Sequence, residues 1–272
     1  MARPNRPVHR RLSPGRDRPI GPVYILHPFN EYFKYDFLCD GPVNAPHWFG
    51  AMSVKDEDMT DFAPVQLPRL NEPAPAFDAP TTHGRKTLAD YKGKWLILFS
   101  HPADFTPVCT TEFIAFAKAQ DRFSALNVEL LGLSIDSHYA HIAWVRNIKE
   151  KFGVEIGFPI IADLSMNVAH AYGMVQPGAS DTAAVRATFL IDPEGILRAM
   201  VYYPMSNGRS IEEFVRLVQA LQTSDREKVA TPEGWQPGDR VIVPPPATSA
   251  AADARASEGY DTTDWYFSTR EL

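Results

Sequence analysis

The sequence predicts a three-layer α/β domain with a mixed central sheet, followed by a smaller C-terminal arm. Three observations carry that expectation. From about Leu70 onward, short continuous apolar runs alternate with amphipathic stretches of helical length, the pattern of strands and helices that share one sheet. Two of the apolar runs flank Asp192-Pro-Glu-Gly195, whose turn chemistry makes them an antiparallel hairpin within an otherwise crossover-linked sheet. Of the 272 residues, 44% are apolar, enough for a substantial core.

In chain order, residues 1–65 read differently from the rest. Arg3, Arg6, Arg10, Arg11, Arg16 and Arg18 sit among Pro4, Pro7, Pro14, Pro19 and Pro22, a mix that neither propagates a helix nor buries a face, so disorder is expected. The prolines break the helix a transit peptide needs, and the apolar core of a secretory signal is missing. Met52 or Met59 is an alternative start. Residues 66–226 form the main domain. Trp95–Ser100 reads as a buried strand, 110–126 as a helix with Phe113, Ile114, Phe116 and Phe123 inward, and 128–135 as a second strand. A helix capped by Ser137 runs to Phe152, with Ile142, Val145 and Ile148 on one face. A short strand at 158–162, a short helix at 166–172, the hairpin strands 187–191 and 197–203, and a helix at 211–222 complete it. Residues 227–272 form the arm: a strand at 238–243, the stiff stop Pro244-Pro-Pro246, a weakly helical small-residue segment at 247–258, and a tail crowded with Tyr260, Trp265, Tyr266 and Phe267. Aromatic side chains on a terminal arm call for a surface to cover them.

Directly after the Trp95–Ser100 run comes His101-Pro-Ala-Asp-Phe-Thr-Pro-Val-Cys-Thr-Thr-Glu112. Thr106 is a good N-cap and Pro107 suits the first helical position, so Cys109 falls at the third, among unpaired amides at the positive end of the helix dipole. A thiolate is favoured there, and the thiolate is the nucleophilic form of cysteine. The plain alternative is a buried, inert cysteine, but such a residue has no need of a capping threonine one turn before it.

Pro-x-x-x-Thr-x-x-Cys after a strand resembles the active-site signature of the peroxiredoxins, the alkyl hydroperoxide reductase/thiol-specific antioxidant family. Phe99-Ser-His-Pro-Ala-Asp-Phe-Thr-Pro-Val-Cys-Thr-Thr-Glu112, Arg186-Ala-Thr-Phe-Leu-Ile-Asp-Pro193, Tyr203-Pro-Met-Ser-Asn-Gly-Arg209 and Gly238-Asp-Arg-Val-Ile-Val-Pro-Pro-Pro246 are similar to its one-cysteine, peroxiredoxin 6-like group. The resemblance spans about Leu70 to Leu272 and implies a thioredoxin-like fold with an arm that packs on a dimer partner. It implies a peroxidase that reduces hydrogen peroxide and alkyl hydroperoxides through a sulfenic acid at Cys109. Arg186 and the Thr106 hydroxyl are then expected to bind substrate and stabilise the leaving oxygen, and Pro102 to shape the pocket. Arginine suits that place because its planar fork reaches thiolate and peroxide together. His101 and Arg209 match positions lining the pocket, with Glu112 in support, orienting Arg209. The implied reductant is an external thiol such as thioredoxin or glutathione, the implied assembly a homodimer or a ring of dimers. No cofactor is implied. Where some relatives carry a phospholipase serine this chain has Lys94, and where archaeal relatives place two resolving cysteines it has Thr262 and Ser268.

A net charge of -6 argues against nucleic-acid partners, whose phosphates call for a basic face. No apolar run approaches the roughly 18 residues of a membrane span. Two cysteines, Cys39 and Cys109, form neither a disulfide framework nor a metal-ligand pattern, which fits a reducing, cytoplasmic setting. His138 and His141 lie near a helix start without an evident third ligand, as surface or capping histidines, so no metal is expected. Two other functions suit the same scaffold: a holdase chaperone using the aromatic tail, and a peroxide-sensing redox protein.

Overall fold

The computed structural model describes residues 67–180 and 182–272, together with two short strands nearer the N-terminus. Those strands, β1 (Val23–Leu26) and β2 (Tyr32–Tyr35), pair antiparallel within the unit Met1–Met59. They correct the expectation of disorder throughout 1–65, because Val-Tyr-Ile-Leu and Tyr-Phe-Lys-Tyr are β-branched and aromatic runs that favour a pleated backbone. The rest of that expectation, with Cys39 and the alternative starts at Met52 and Met59, lies outside the described residues.

Thr60–Leu272 form the second compact unit. Its seven-stranded sheet is built from β3 (Asp78–Thr81), β4 (Gly84–Thr87), β5 (Trp95–Ser100), β6 (Val128–Ser134), β7 (Ile160–Ala162), β8 (Arg186–Ile191) and β9 (Leu197–Tyr203), in the order β4-β3-β7-β6-β5-β8-β9. β5, β6 and β7 run parallel and β8 and β9 antiparallel to their neighbours, so the mixed sheet is as expected. β5 lies between β6 and β8 and is buried throughout. Its side chains alternate: Leu96 and Leu98 enter one apolar cluster, Trp95, Ile97 and Phe99 the other. A continuous apolar run is what a strand covered on both faces requires.

Helices α1 (Pro107–Ala125), α2 (His138–Phe152) and α4 (Ile211–Glu227) bury their apolar faces in the cluster that holds Phe99. The other face is covered by α3 (Asn167–Ala171) and by the turn of 3₁₀-helix ending at Tyr91. α2 starts where Ser137 accepts the Ala140 amide at 3.2 Å and ends at Gly153, whose φ of 68° suits a residue without Cβ. Its buried face is His141, Trp144 and Ile148; Ile142 and Val145 are only half-buried, one position off the expected register. α4 runs past the expected end at 222 because Asp225 is held by Arg198 at 2.7 and 2.8 Å, a contact from β9 that no local pattern signals.

The arm is a sheet of its own. β10 (Val241–Val243), β11 (Asp261–Asp264) and β12 (Phe267–Arg270) pair antiparallel in the order β10-β12-β11, with the short helix α5 (Ser249–Ala254) between β10 and β11. Trp265 and Tyr266 form the connection of the last hairpin and remain half exposed, at 50% and 55%. Among the described residues no helix is long and apolar enough to cross a membrane.

Candidate active site

β5 delivers the chain to a short loop, 101–106, and α1 begins immediately after it. Thr106 has the extended backbone of an N-cap and Pro107 is the first helical residue, so Cys109 is third, as the sequence predicts. The cap itself differs from expectation. The Thr106 hydroxyl donates to the Ala103 carbonyl at 2.9 Å and caps nothing, one of the local turns in which threonine competes with helix capping. The first-turn amides of α1 therefore keep no side-chain partner, and Cys109 sits among them. Cys109, Glu112, Phe113 and Phe116 follow the i, i+3, i+4, i+7 stripe that faces the sheet, and all four are buried. Phe99 stacks on Phe116 at 4.1 Å and meets the edge of Phe113 at 5.4 Å, which fixes the stripe and with it the direction of the thiol.

Arg186, the first residue of β8, comes to the thiol from the neighbouring strand. Its Nη1 donates to Cys109 Sγ at 3.3 Å and to Glu112 Oε2 at 2.7 Å, while Nε and Nη2 grip the Met205 carbonyl at 3.0 and 2.7 Å. Arg209 closes on the same carboxylate: Nε donates to Oε1 at 2.9 Å, Nη2 to Oε2 at 2.8 Å, and its own backbone amide to Oε1 at 2.8 Å. The expected bidentate Glu112–Arg209 pair is thus present. Burial pushes the Glu112 carboxyl up, but the hydrogen bonds and charge of Arg209 and the charge of Arg186 outweigh it and hold the group below the ordinary carboxylate range.

One expectation for Arg209 needs correcting. Its Nη1 is also engaged, with the Ala187 carbonyl at 2.9 Å and Thr188 Oγ1 at 3.1 Å, and its side chain is fully buried over Phe99 and Phe116. Arg209 is the support of Glu112 rather than a free pocket-lining cation, and Glu112 aims Arg186 as well as Arg209. Met205 joins through a backbone carbonyl, which no residue-type motif reveals. Pro102 and Thr106 are half-buried near the thiol's loop, where side chains remain partly accessible.

His101 stands apart from that network. It is fully buried, its Nε2 pairs with Asp104 Oδ1 at 2.9 Å, and its ring packs on Phe113 and Trp144 at 4.7 and 5.1 Å between centroids. The expected place lining a substrate pocket gives way to a packed one. His141 is likewise no surface or capping residue: Nδ1 meets Asp104 Oδ2 at 2.7 Å and Nε2 the Ile161 carbonyl at 3.1 Å. The signal that reveals it is its i, i+3, i+7 register with Trp144 and Ile148. The nitrogen and oxygen atoms of His101, Asp104 and His141 lie within 4.8 Å of one another, but both carboxylate oxygens are joined directly to imidazole nitrogens, a hydrogen-bonded cluster.

These groups set an acid limit. Burial pushes His101 below its ordinary 6.5, with the Asp104 hydrogen bond and charge only partly offsetting it, so the unfolded chain takes up a proton that the folded one refuses. Stability is therefore expected to fall as pH drops below about 6.5. A second loss follows below about 4, where the depressed Asp104 and Glu112 carboxyls must be protonated. Thermal melts from pH 8 to pH 2 check both losses; a melting temperature that rises between pH 7 and pH 5 contradicts the first.

Arg186 reaches Cys109 only through the assembled sheet, and a buried thiol held by a cation at a helix start on a thioredoxin-like sheet defines a thiol-dependent redox enzyme. Comparison with known proteins narrows the class. Residues 70–200 match the AhpC/TSA family and residues 220–259 the C-terminal domain of 1-Cys peroxiredoxin. A peroxiredoxin of Aquifex aeolicus is 58% identical over 219 residues, covering 76% of this chain and 99% of the relative. One of Methanosarcina mazei is 54% identical over 210 residues, covering 74% and 96%. The yeast mitochondrial 1-Cys peroxiredoxin, solved in a study of thiol resolution via glutathione/thioredoxin systems, superposes with a TM-score of 0.67 at 40% identity, covering 76% of this chain and all of that one. A cysteine-to-serine mutant of the peroxiredoxin 6 of Arenicola marina superposes with a TM-score of 0.66 at 33% identity, covering 75% and 99%. The chain belongs to the peroxiredoxin family, in its AhpC/TSA branch with a 1-Cys C-terminal domain, and is a thiol-dependent peroxidase.

Proposed function

We propose that Cys109 is the peroxidatic cysteine, that Arg186, Thr106 and Pro102 form its reaction pocket, and that a diffusible thiol such as thioredoxin or glutathione restores it. The observation that carries this is the Arg186 Nη1 contact with Cys109 Sγ at 3.3 Å, at a thiol that is itself fully buried. Sγ attacks the terminal peroxide oxygen as an S–O bond forms and the O–O bond breaks. The electron pair leaves on the other oxygen, which takes a proton and departs as water or an alcohol. Sulfur is oxidised to the sulfenic acid and the peroxide is reduced. Arg186 supports charge on both sulfur and the departing oxygen. The Thr106 proton is engaged by Ala103, so its oxygen serves as acceptor for the hydroperoxide O–H, and Pro102, lacking an N–H, keeps competing donors away.

Reduction is then external. Among the described residues Cys109 is the only cysteine, and Thr262 and Ser268, which stand where archaeal relatives place resolving thiols, are hydrogen-bonded cross-strand neighbours at 3.0 Å. An incoming thiol displaces water from the sulfenic sulfur to give a mixed disulfide, and a second thiol exchanges it away. A reducing cytoplasm suits this cycle. The exposed Trp265, Tyr266 and Phe267 suit burial in a homodimer. One equivalent of peroxide without thiol is expected to give a dimedone-trappable adduct at Cys109; a near-stoichiometric Cys39–Cys109 disulfide on non-reducing mass spectrometry overturns the one-cysteine cycle. Phospholipid hydrolysis is expected to be absent, because Lys94 stands in place of the serine and pairs with Glu129. Fatty-acid release above a heat-killed control contradicts that.

A further inference from the structure

The loop that carries Pro102 and Thr106 is not held by its own conformational preference. Phe105 has φ of 55°, the left-handed region that strains a residue with a Cβ, and the residue is 57% exposed and so anchors little. The anchors are polar and buried. The Asp104 amide donates to Asp136 Oδ2 at 3.1 Å, an oxygen that also takes the Ser134 hydroxyl at 2.6 Å, and the Asp104 carboxylate bridges the two imidazoles.

Hydrogen-bond accounting assigns the protons of that bridge. The Ile161 carbonyl only accepts, so His141 Nε2 carries a hydrogen. His141 Nδ1 faces a carboxylate oxygen at 2.7 Å, and two lone pairs at that distance repel, so a proton lies between them as well. Asp104 is held ionised against the cost of burial by its two histidine partners. The other carboxylate oxygen accepts from His101 Nε2–H, and His101 Nδ1 is buried without any hydrogen-bond partner, as a bare lone pair is and a buried N–H rarely is. Besides these three groups, the charged neighbour of the cluster is Asp136.

We propose that Asp104 and His141 are positioning residues of the peroxidase centre: the Asp104 carboxyl group, held by His141 Nδ1 on one oxygen and by His101 Nε2 on the other, fixes His101 as its Nε2–H tautomer and so clamps the loop that presents Pro102 and Thr106 to Cys109. They act through the loop and touch no reacting atom. The inference rests on the peroxidase reading, which wild-type turnover tests; the clamp is tested first in the resting protein, without turnover.

In ¹⁵N-labelled reduced full-length protein near neutral pH, imidazole nitrogen spectra are expected to show His101 carrying its hydrogen on Nε2 with Nδ1 bare, and His101→Gln identifies that set. Asp104→Asn, whose amide cannot accept from both rings, is expected to weaken the Nε2–H preference of His101 and to lower the rate constant with peroxide about tenfold or more, since small misplacements of positioned groups carry losses up to about a hundredfold. A wild-type His101 that carries its hydrogen on Nδ1 overturns the proposal whether or not the variant folds. So does a folded Asp104→Asn protein that reacts at the wild-type rate.

Discussion

Cys109→Ser is expected to lower peroxide reduction by roughly 10⁴-fold or more, to the level of free peroxide in buffer, because a serine hydroxyl in the same place stays protonated and supplies no nucleophile. Cys39→Ser is expected to leave the rate close to wild type. Among the described residues, Cys109 is the cysteine with the helix start and the Arg186 contact at 3.3 Å. Stopped-flow peroxide consumption with excess thiol measures both variants side by side. Equal losses in the two variants would contradict the assignment and give the N-terminal segment a part in the chemistry. Cys109→Ser is also expected to keep its fold, since a small buried side chain is exchanged for one of similar size, and a melting curve close to wild type separates lost chemistry from lost structure.

Arg186→Ala is expected to slow the reaction with peroxide by about 10²–10³-fold, the usual cost of removing a donor aimed at developing charge. The same change withdraws one of the two guanidinium groups around Glu112 and leaves the Met205 carbonyl without its donors. A loss of stability therefore accompanies the loss of rate, smaller than the ~3–5 kcal/mol of a fully broken buried pair because Arg209 remains. Arg186→Lys separates the two effects. An ammonium keeps the charge but does not reach Sγ, Glu112 and the Met205 carbonyl at once, so it is expected to recover stability more than rate. Rapid alkylation by iodoacetamide at fixed pH reads the thiolate directly and is expected to slow in the alanine variant; unchanged alkylation and peroxide rates in a folded Arg186→Ala protein exclude the role given to this residue.

The elements legible in the sequence are those whose apolar pattern is strong and local. β5, β6 and α1 follow from periodicity, since each buries a continuous run or a clear stripe, and the β8–β9 hairpin follows from its apolar runs together with the Asp192-Pro-Glu-Gly195 turn. β3 and β4 escape it because Asp-Ala-Pro-Thr and Gly-Arg-Lys-Thr carry proline, glycine and charge, and they form a hairpin joined to the main sheet through one Thr81–Ile161 pairing. The arm's sheet escapes for a similar reason: Asp261–Asp264 has no apolar alternation and is stabilised by pairing to β12 rather than by burial. At the site, Cys109, Arg186, Glu112 and Arg209 are legible as residue types in motifs, whereas the partition of hydrogen bonds among them is not. His141 illustrates the limit. Its helix follows from the pattern, but aliphatic spacing sets the buried face one position away, on Ile142 and Val145; the register with Trp144 and Ile148 marks the true face, whereas the buried partner, Asp104, lies 37 positions earlier and leaves no local sign.

That separation along the chain has a counterpart at the thiol. Cys109 and Arg186 are 77 positions apart, and two further strands and two helices must be laid down before β8 can dock on β5 and bring the cation to the sulfur. During synthesis the cysteine emerges early, at the start of a helix with no guanidinium beside it, and Arg186 reaches it only when the last strands close. Reactivity toward peroxide thus arrives with native structure and departs with it. A nascent or partly unfolded chain is spared oxidation at this position by the same geometry that makes the finished protein fast, and Cys109 alkylation serves as a chemical clock for completion of the fold.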